Sequence, residues 1–248
     1  MKATIIKSIL AAFIIIICVN AKSKAQTYYP VYLCDGGTAT LHTPEESTLV
    51  SGDKVYWYLE GTQVAVLTYD GTANKTNYVT PNNLSAGVHN YTSRIESVAG
   101  CLGDLSDVFP VYQLPTKTLA LTKSIASYCG SDASLSSVIT ATTSPAESLP
   151  AGIEYAYEWI ATKNGTNVSP LSGIGTDLAS KTNINTFTLT TTVDGIYTFN
   201  AKVKYVVATG NTTGVLKSGD TNGCEVTAAT TQTVTVTPKP VRPTIVVQ

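Results

Sequence analysis

The chain has 248 residues, of which 13% are charged, about half the usual share for a soluble domain, so Thr, Ser, Asn and Gly must carry its polar surface. A formal net charge of −1, with no cluster of Lys and Arg anywhere, excludes an electrostatic footprint for nucleic acid or anionic lipid. Such a surface suits an extracellular β-protein.

Residues 1–25 read as a cleaved signal peptide. Lys2 and Lys7 flank the start, Ile9 to Val19 is almost wholly apolar, and Ser23-Lys24-Ala25 places small residues where a signal peptidase reads them, making Gln26 the expected mature N-terminus. Roughly 11 apolar residues are too few for a bilayer span, which takes about 20. The leader carries four of the 16 basic residues and no acid, so 12 remain against 17 acidic ones, a net charge near −5. Cys18 leaves with it, and four cysteines stay.

The rest of the chain states one pattern twice. A short lead from Gln26 to Tyr32, interrupted by Pro30, precedes Cys34 and the turn Asp35-Gly36-Gly37. Val55 to Leu59 alternates with Trp57 on the apolar face, which turns Tyr56 and Tyr58 outward. After Gly87, His89, Tyr91, Ser93 and Ile95 share one face, and Asn90, Thr92 and Arg94 the other. Cys101 follows, then a strand with Val111 and Gln113 inward and Tyr112 outward, then the linker Leu114-Pro115-Thr116-Lys117, expected to hold two modules semi-rigidly in line. Cys129, Trp159, Gly195, Cys224 and Pro238 repeat Cys34, Trp57, Gly87, Cys101 and Pro115. In the second copy Tyr197, Phe199, Ala201 and Val203 point inward. Gly to Cys spans 14 residues in the first copy and 29 in the second, and the excess at 205–223 reads as an extended hairpin. No stretch outside the leader has a 3.6-residue apolar period, so the fold class is all-β: two tandem immunoglobulin-like antiparallel β-sandwiches, residues 26–115 and 116–238, followed by a Pro-spaced tail at 239–248 with a β-prone end.

Four cysteines in an exported chain point to disulfides, and zinc is disfavoured because there is no CxxC pair and only His42 and His89 could assist. Three pairings are possible. The repeat favours one bond per copy, Cys34 with Cys101 and Cys129 with Cys224.

Cys-x-Gly, Trp57 among alternating residues, Gly87-Val88-His89 and Gly195-Ile196-Tyr197, Gly100-Cys101 and Gly223-Cys224, and a Val-x-Val-x-Pro ending together resemble the tandem Ig-like and PKD-like modules of secreted and cell-surface bacterial proteins, adhesins included. The resemblance covers Tyr32 to Pro238. It implies an extracellular or cell-surface location, with the periplasm as another destination, and a structural or adhesive role in a larger assembly. The family's Gly-x-Tyr position holds Tyr197 in the second copy but His89 in the first, which leaves the buried tyrosine hydroxyl bond without an obvious donor there.

Catalytic chemistry has little to stand on. With two histidines and acids such as Glu45, Glu46, Asp104 and Asp107 in surface loops, neither a Ser/His/acid set nor converging carboxylates is expected. No cofactor or metal is implied, although Asp35, Asp53, Asp104 and Asp107 could approach one another as calcium ligands. The expected partner-binding face is Tyr56, Tyr58, Arg94 and Tyr112, suited to a protein or to a surface glycan, so a carbohydrate-binding accessory protein is the alternative reading. A further expectation is head-to-tail self-association, residues 244–248 of one chain completing an unpaired sheet edge in the first module of the next.

Overall fold

The computed structural model describes residues 28–43, 48–132, 134–146 and 148–244. The expected leader, Glu45, Glu46 and residues 245–248 lie outside them. In chain order the strands are β1 (Val31–Cys34), β2 (Thr40–Leu41), β3 (Lys54–Leu59), β4 (Thr62–Thr68), β5 (Tyr78–Val79), β6 (Gly87–Glu96), β7 (Phe109–Gln113), β8 (Thr118–Lys123) and β9 (Ser127–Cys129). They continue with β10 (Ser137–Ser144), β11 (Ile153–Lys163), β12 (Thr166–Asn167), β13 (Gly175–Asp177), β14 (Ile184–Leu189), β15 (Gly195–Val207), β16 (Val215–Ser218), β17 (Glu225–Thr227) and β18 (Gln232–Thr237). The one named helical element among the described residues is a 3-10 turn, Leu171–Gly173.

Two sandwiches result. The second pairs the sheet β13-β14-β10-β8 with the sheet β12-β11-β15-β18-β9, β17 also pairing β15. The first sets the two-stranded sheet β2-β5 against a sheet ordered β16-β1-β7-β6-β3-β4. The inward and outward alternation is as the sequence predicts: Val55, Trp57, Tyr91, Ser93 and Val111 are buried in one sandwich, and Tyr155, Trp159, Tyr197, Phe199, Ala201 and Val203 in the other. Each Trp is an anchor with a satisfied N–H, Trp57 Nε1 donating to the Thr76 carbonyl at 2.9 Å and Trp159 Nε1 to Asn185 Oδ1 at 3.0 Å.

The expected gap at His89 is filled by a different donor. Tyr197 Oη donates to the Val193 carbonyl at 3.0 Å, and His89 Nε2 sits 2.7 Å from the Ser85 carbonyl, four residues upstream in both copies. A carbonyl only accepts, so the proton is on Nε2 and the imidazole closes the same corner as the phenol.

Two expectations from the repeat need correcting. The stretch 205–223 does not fold as a hairpin of its own. β16 leaves the second sandwich and pairs in parallel with β1 of the first, Val31↔Val215 through Cys34↔Ser218. β1 therefore has β7 on one side and β16 on the other. The disulfide follows this path. Cys34 is bonded to Cys224, with Cα atoms 5.9 Å apart, while Cys101 and Cys129 carry free thiols. Cys34 is at the last rung of the β1–β16 ladder, opposite Ser218, which precedes Cys224 by six residues, and it belongs to the second sandwich's core cluster. Cys101 is left in an exposed turn after β6.

The outer face of β1 and β7 is therefore the junction. Tyr32, Cys34 and Leu114 join the second sandwich's core, with Tyr29, Tyr112 and Leu216 packed against it. Tyr32 Oη donates to the Ala151 carbonyl at 2.6 Å and accepts from the Tyr29 N–H at 3.0 Å and from Asn211 Nδ2 at 3.3 Å. The linker is buried at Leu114 and Lys117. Lys117 Nζ donates to the Cys224 carbonyl and lies 4.1 Å from the centroid of the Tyr205 ring, whose hydroxyl donates to the Pro115 carbonyl at 3.0 Å. Burial pushes the Lys117 ammonium below its usual pKa, with Asp35, Asp220 and Glu225 opposing.

Close backbone approach is what admits this strand. A Cβ on Gly37 would stand 2.5 Å from the Lys217 carbonyl oxygen. At Gly152, φ is +86° and a Cβ would meet Asn211 Nδ2 at 2.4 Å and Tyr32 Oη at 2.7 Å. Gly152→Ala is expected to destabilise the protein by on the order of 1–3 kcal/mol, from backbone strain and the displaced Asn211. Chemical denaturation checks this, and an unchanged midpoint would show that the junction tolerates the side chain.

Candidate functional site

On the outer face of β3 and β6, Tyr56 stands opposite Arg94 and Tyr58 opposite Thr92. All four are half-buried. Tyr56 Oη donates to the Glu96 carboxylate, and that hydrogen bond is the main cause of the phenol's raised pKa. Lys54 pairs with the other Glu96 oxygen at 3.8 Å. Arg94 Nε donates to the Gly103 carbonyl at 2.7 Å, which fixes the guanidinium over the loop that follows β6. A cleft of about 300 Å³ opens there, lined by Ser93, Arg94, Gly103, Asp104, Leu105 and Ser106. Two tyrosine rings beside a guanidinium and a cleft of mixed polar and apolar lining can stack on and hydrogen-bond to a partner.

Tyr112 has the expected parity but a different neighbourhood. Its partner across β6 is Val88, four residues along the strand from Thr92, a displacement of about 13 Å at roughly 3.3 Å per residue. Its ring lies 5.0 Å from Tyr29 and 6.3 Å from Tyr32. The structure thus brings Tyr56, Tyr58 and Arg94 together and gives Tyr112 to the junction.

A second cleft, of about 550 Å³, opens between β2 and the start of β7, with Leu41, His42, Trp57, Tyr91, Asp107 and Phe109 among its lining. It holds a His, a Ser and an Asp, yet Ser106 Oγ is committed to the backbone, accepting from the Ser93 N–H and donating to the Asp107 carbonyl, both at 2.9 Å. Tyr91, wholly buried, has its pKa pushed up to about 12 by burial. The acids proposed as calcium ligands do not converge. Asp53 staples a turn, its two oxygens accepting from the Val50 and Val98 N–H groups at 2.9 Å. Among the described residues the single metal-like grouping is Cys34, Asp35 and Cys224, whose sulfurs form the disulfide. Of the two free thiols, Cys129 has its pKa lowered, chiefly by its hydrogen bond to the Ser131 hydroxyl.

What sequence reasoning missed was the junction: Tyr32, Gly152, Asn211 and the linked pair Cys34 and Cys224. The insertion's length was the signal, and its destination was not written in it.

No protein-family model matches the chain, and no curated protein does. Among solved structures it aligns over 82% of its length with invasin, a bacterial integrin-binding protein, at 14% identity and a TM-score of 0.30. It aligns over 85% with immunoglobulin domains 1–5 of Sidekick-1 at 14% identity and a TM-score of 0.37, and over 85% with the titin fragment A168169 at 12% and 0.28. The chain spans 36% of that invasin chain, 38% of the Sidekick-1 chain and 94% of the titin fragment. Likeness at this level adds nothing to the reading of function. No helix among the described residues is long and apolar enough to cross a membrane.

Proposed function

We propose that the chain is a non-enzymatic, exported structural or adhesive component of a bacterial cell-surface or extracellular assembly. The observation that carries this reading is the junction: β16 crosses from one sandwich into the other and Cys34–Cys224 locks it there across 190 residues. Disulfides persist in oxidising compartments, so the bond and the leader-like start support the same address. A fixed two-sandwich unit serves as a spacer or adhesive element, because force or binding at one end is transmitted without slack in the linker. The test is protease treatment of intact cells followed by fractionation. The protein should be cleaved from the outside, and its deletion should reduce surface attachment or assembly. Protein confined to the cytoplasm, protected from protease, contradicts the reading.

The cleft beside Arg94 favours a second reading, an accessory protein that holds a glycan against Tyr56 and Tyr58. Tyr56→Ser with Tyr58→Ser, and separately Arg94→Ala, should leave thermal stability within a few degrees of the parent and lower retention on cells or on a glycan array at least tenfold. Undiminished retention moves the contact away from this face.

A further inference from the structure

β2 and β10 are equivalent, each lying between the Cys-bearing strand and the Trp-bearing strand of its sandwich. β10 is flanked on both sides, by β14 and by β8, the latter in an antiparallel ladder from Ile139↔Lys123 to Ser144↔Thr118. β2 pairs with β5 alone among the described residues. Its strand-like alternation runs past the ladder, with Ala39, Leu41 and Thr43 buried and Thr40 and His42 exposed. Beside it lies the 550 Å³ cleft over Trp57 and Tyr91, and neither the Tyr91 hydroxyl nor the Thr43 hydroxyl has a hydrogen-bond partner among the described residues. Tyr28 and Tyr29, ahead of β1, are engaged elsewhere. Tyr28 lies against Gly152 and Gly210, and Tyr29 against Tyr112, so β1 is entered from the junction and not along β2.

We propose that this edge of β2 takes residues Thr244–Gln248 of a second copy as an added antiparallel strand. The template is β8. Leu119 and Leu121 are buried between exposed Thr118, Ala120 and Thr122. Thr244-Ile245-Val246-Val247-Gln248 repeats Thr118-Leu119-Ala120-Leu121-Thr122 position for position, with Ile245 and Val247 at the inward places. β8 follows the last strand of one sandwich and completes the next, and the tail follows β18 in the same way. Residues 238–243 between them are exposed and Pro-spaced, a spacer of about 19 Å at roughly 3.1 Å per residue. Backbone hydrogen bonds along the edge supply affinity, and the two apolar side chains entering the cleft supply register.

The test uses purified exported protein carrying Cys101→Ser and Cys129→Ser. One sample adds Thr40→Cys, the other Val246→Cys, and the two are mixed and oxidised in air. A disulfide-linked heterodimer is expected, falling at least tenfold when the second sample also carries Ile245→Asp and Val247→Asp. In parallel, the parent protein should sediment as concentration-dependent oligomers, and deletion of residues 244–248 should leave a monomer with unchanged stability of the second sandwich. No heterodimer together with a monomeric parent at high concentration overturns the proposal. So does a crosslink that forms only when both cysteines are on one chain. Both experiments are independent of where the protein resides in the cell, so their failure leaves the surface reading standing.

Discussion

Trp159→Ala lowers the stability of the second sandwich by about 3–5 kcal/mol, the range for large-to-small aromatic changes in a core. The indole is 6% exposed, and its ring centroid lies 5.9 Å from that of Phe187, which is in turn 5.3 Å from that of Phe199. Removing it leaves a void that these rings cannot close without abandoning their contacts. It also strips the partner from Asn185 Oδ1, an amide oxygen on a side chain 1% exposed, so an unsatisfied polar group adds to the cavity. Trp57→Ala acts likewise in the first sandwich, where the indole stacks on Tyr78 and donates to the Thr76 carbonyl. Denaturant titration followed by calorimetry measures both. Parent-like stability in either variant would mean that the ring is not the anchor of its core.

The second large effect is expected at the junction. Cys34→Ser with Cys224→Ser opens a loop of 190 residues, and the chain-entropy model assigns such a closure about 5 kcal/mol. The β1–β16 ladder then has four rungs and the apolar contacts of Tyr32 and Leu216 to hold it. A single cooperative transition should split in two, the first sandwich melting earlier. Cys101→Ser and Cys129→Ser should each stay within about 0.5 kcal/mol of the parent, as surface substitutions do. Under one bond per copy, Cys101→Ser and Cys129→Ser would instead each break a disulfide and lose about 2–5 kcal/mol.

These effects separate what could be read in the residues from what could not. Strand faces were legible because side-chain period is local: once Trp57 is inward, Val55 follows it and Tyr56 must face the other way. The repeat of Trp, Gly and Cys exposed the tandem sandwiches for the same reason. Destination is not local. Val215 and Leu216 look like half of a hairpin, and nothing within ten residues says that their partners are Val31 and Tyr32. The cysteines were misassigned as a consequence, since their pairing depends on where β16 lands. Tyr112 shows the remaining limit. Alternation puts it on the outer face, but the outer face of β1 and β7 is solvent only if nothing packs there, and the second sandwich does. Tyr56, Tyr58 and Arg94, farther from the junction, stay on an open face.

The insertion between β15 and Cys224 binds the sandwiches into one unit, and a single measurement bears on that most directly. Non-reducing proteolysis of the exported protein, followed by mass spectrometry, should yield one linked pair containing Cys34 and Cys224, with Cys101 and Cys129 recovered as alkylated thiols. Peptides joining Cys34 to Cys101 and Cys129 to Cys224 would contradict it, and with it the crossing of β16.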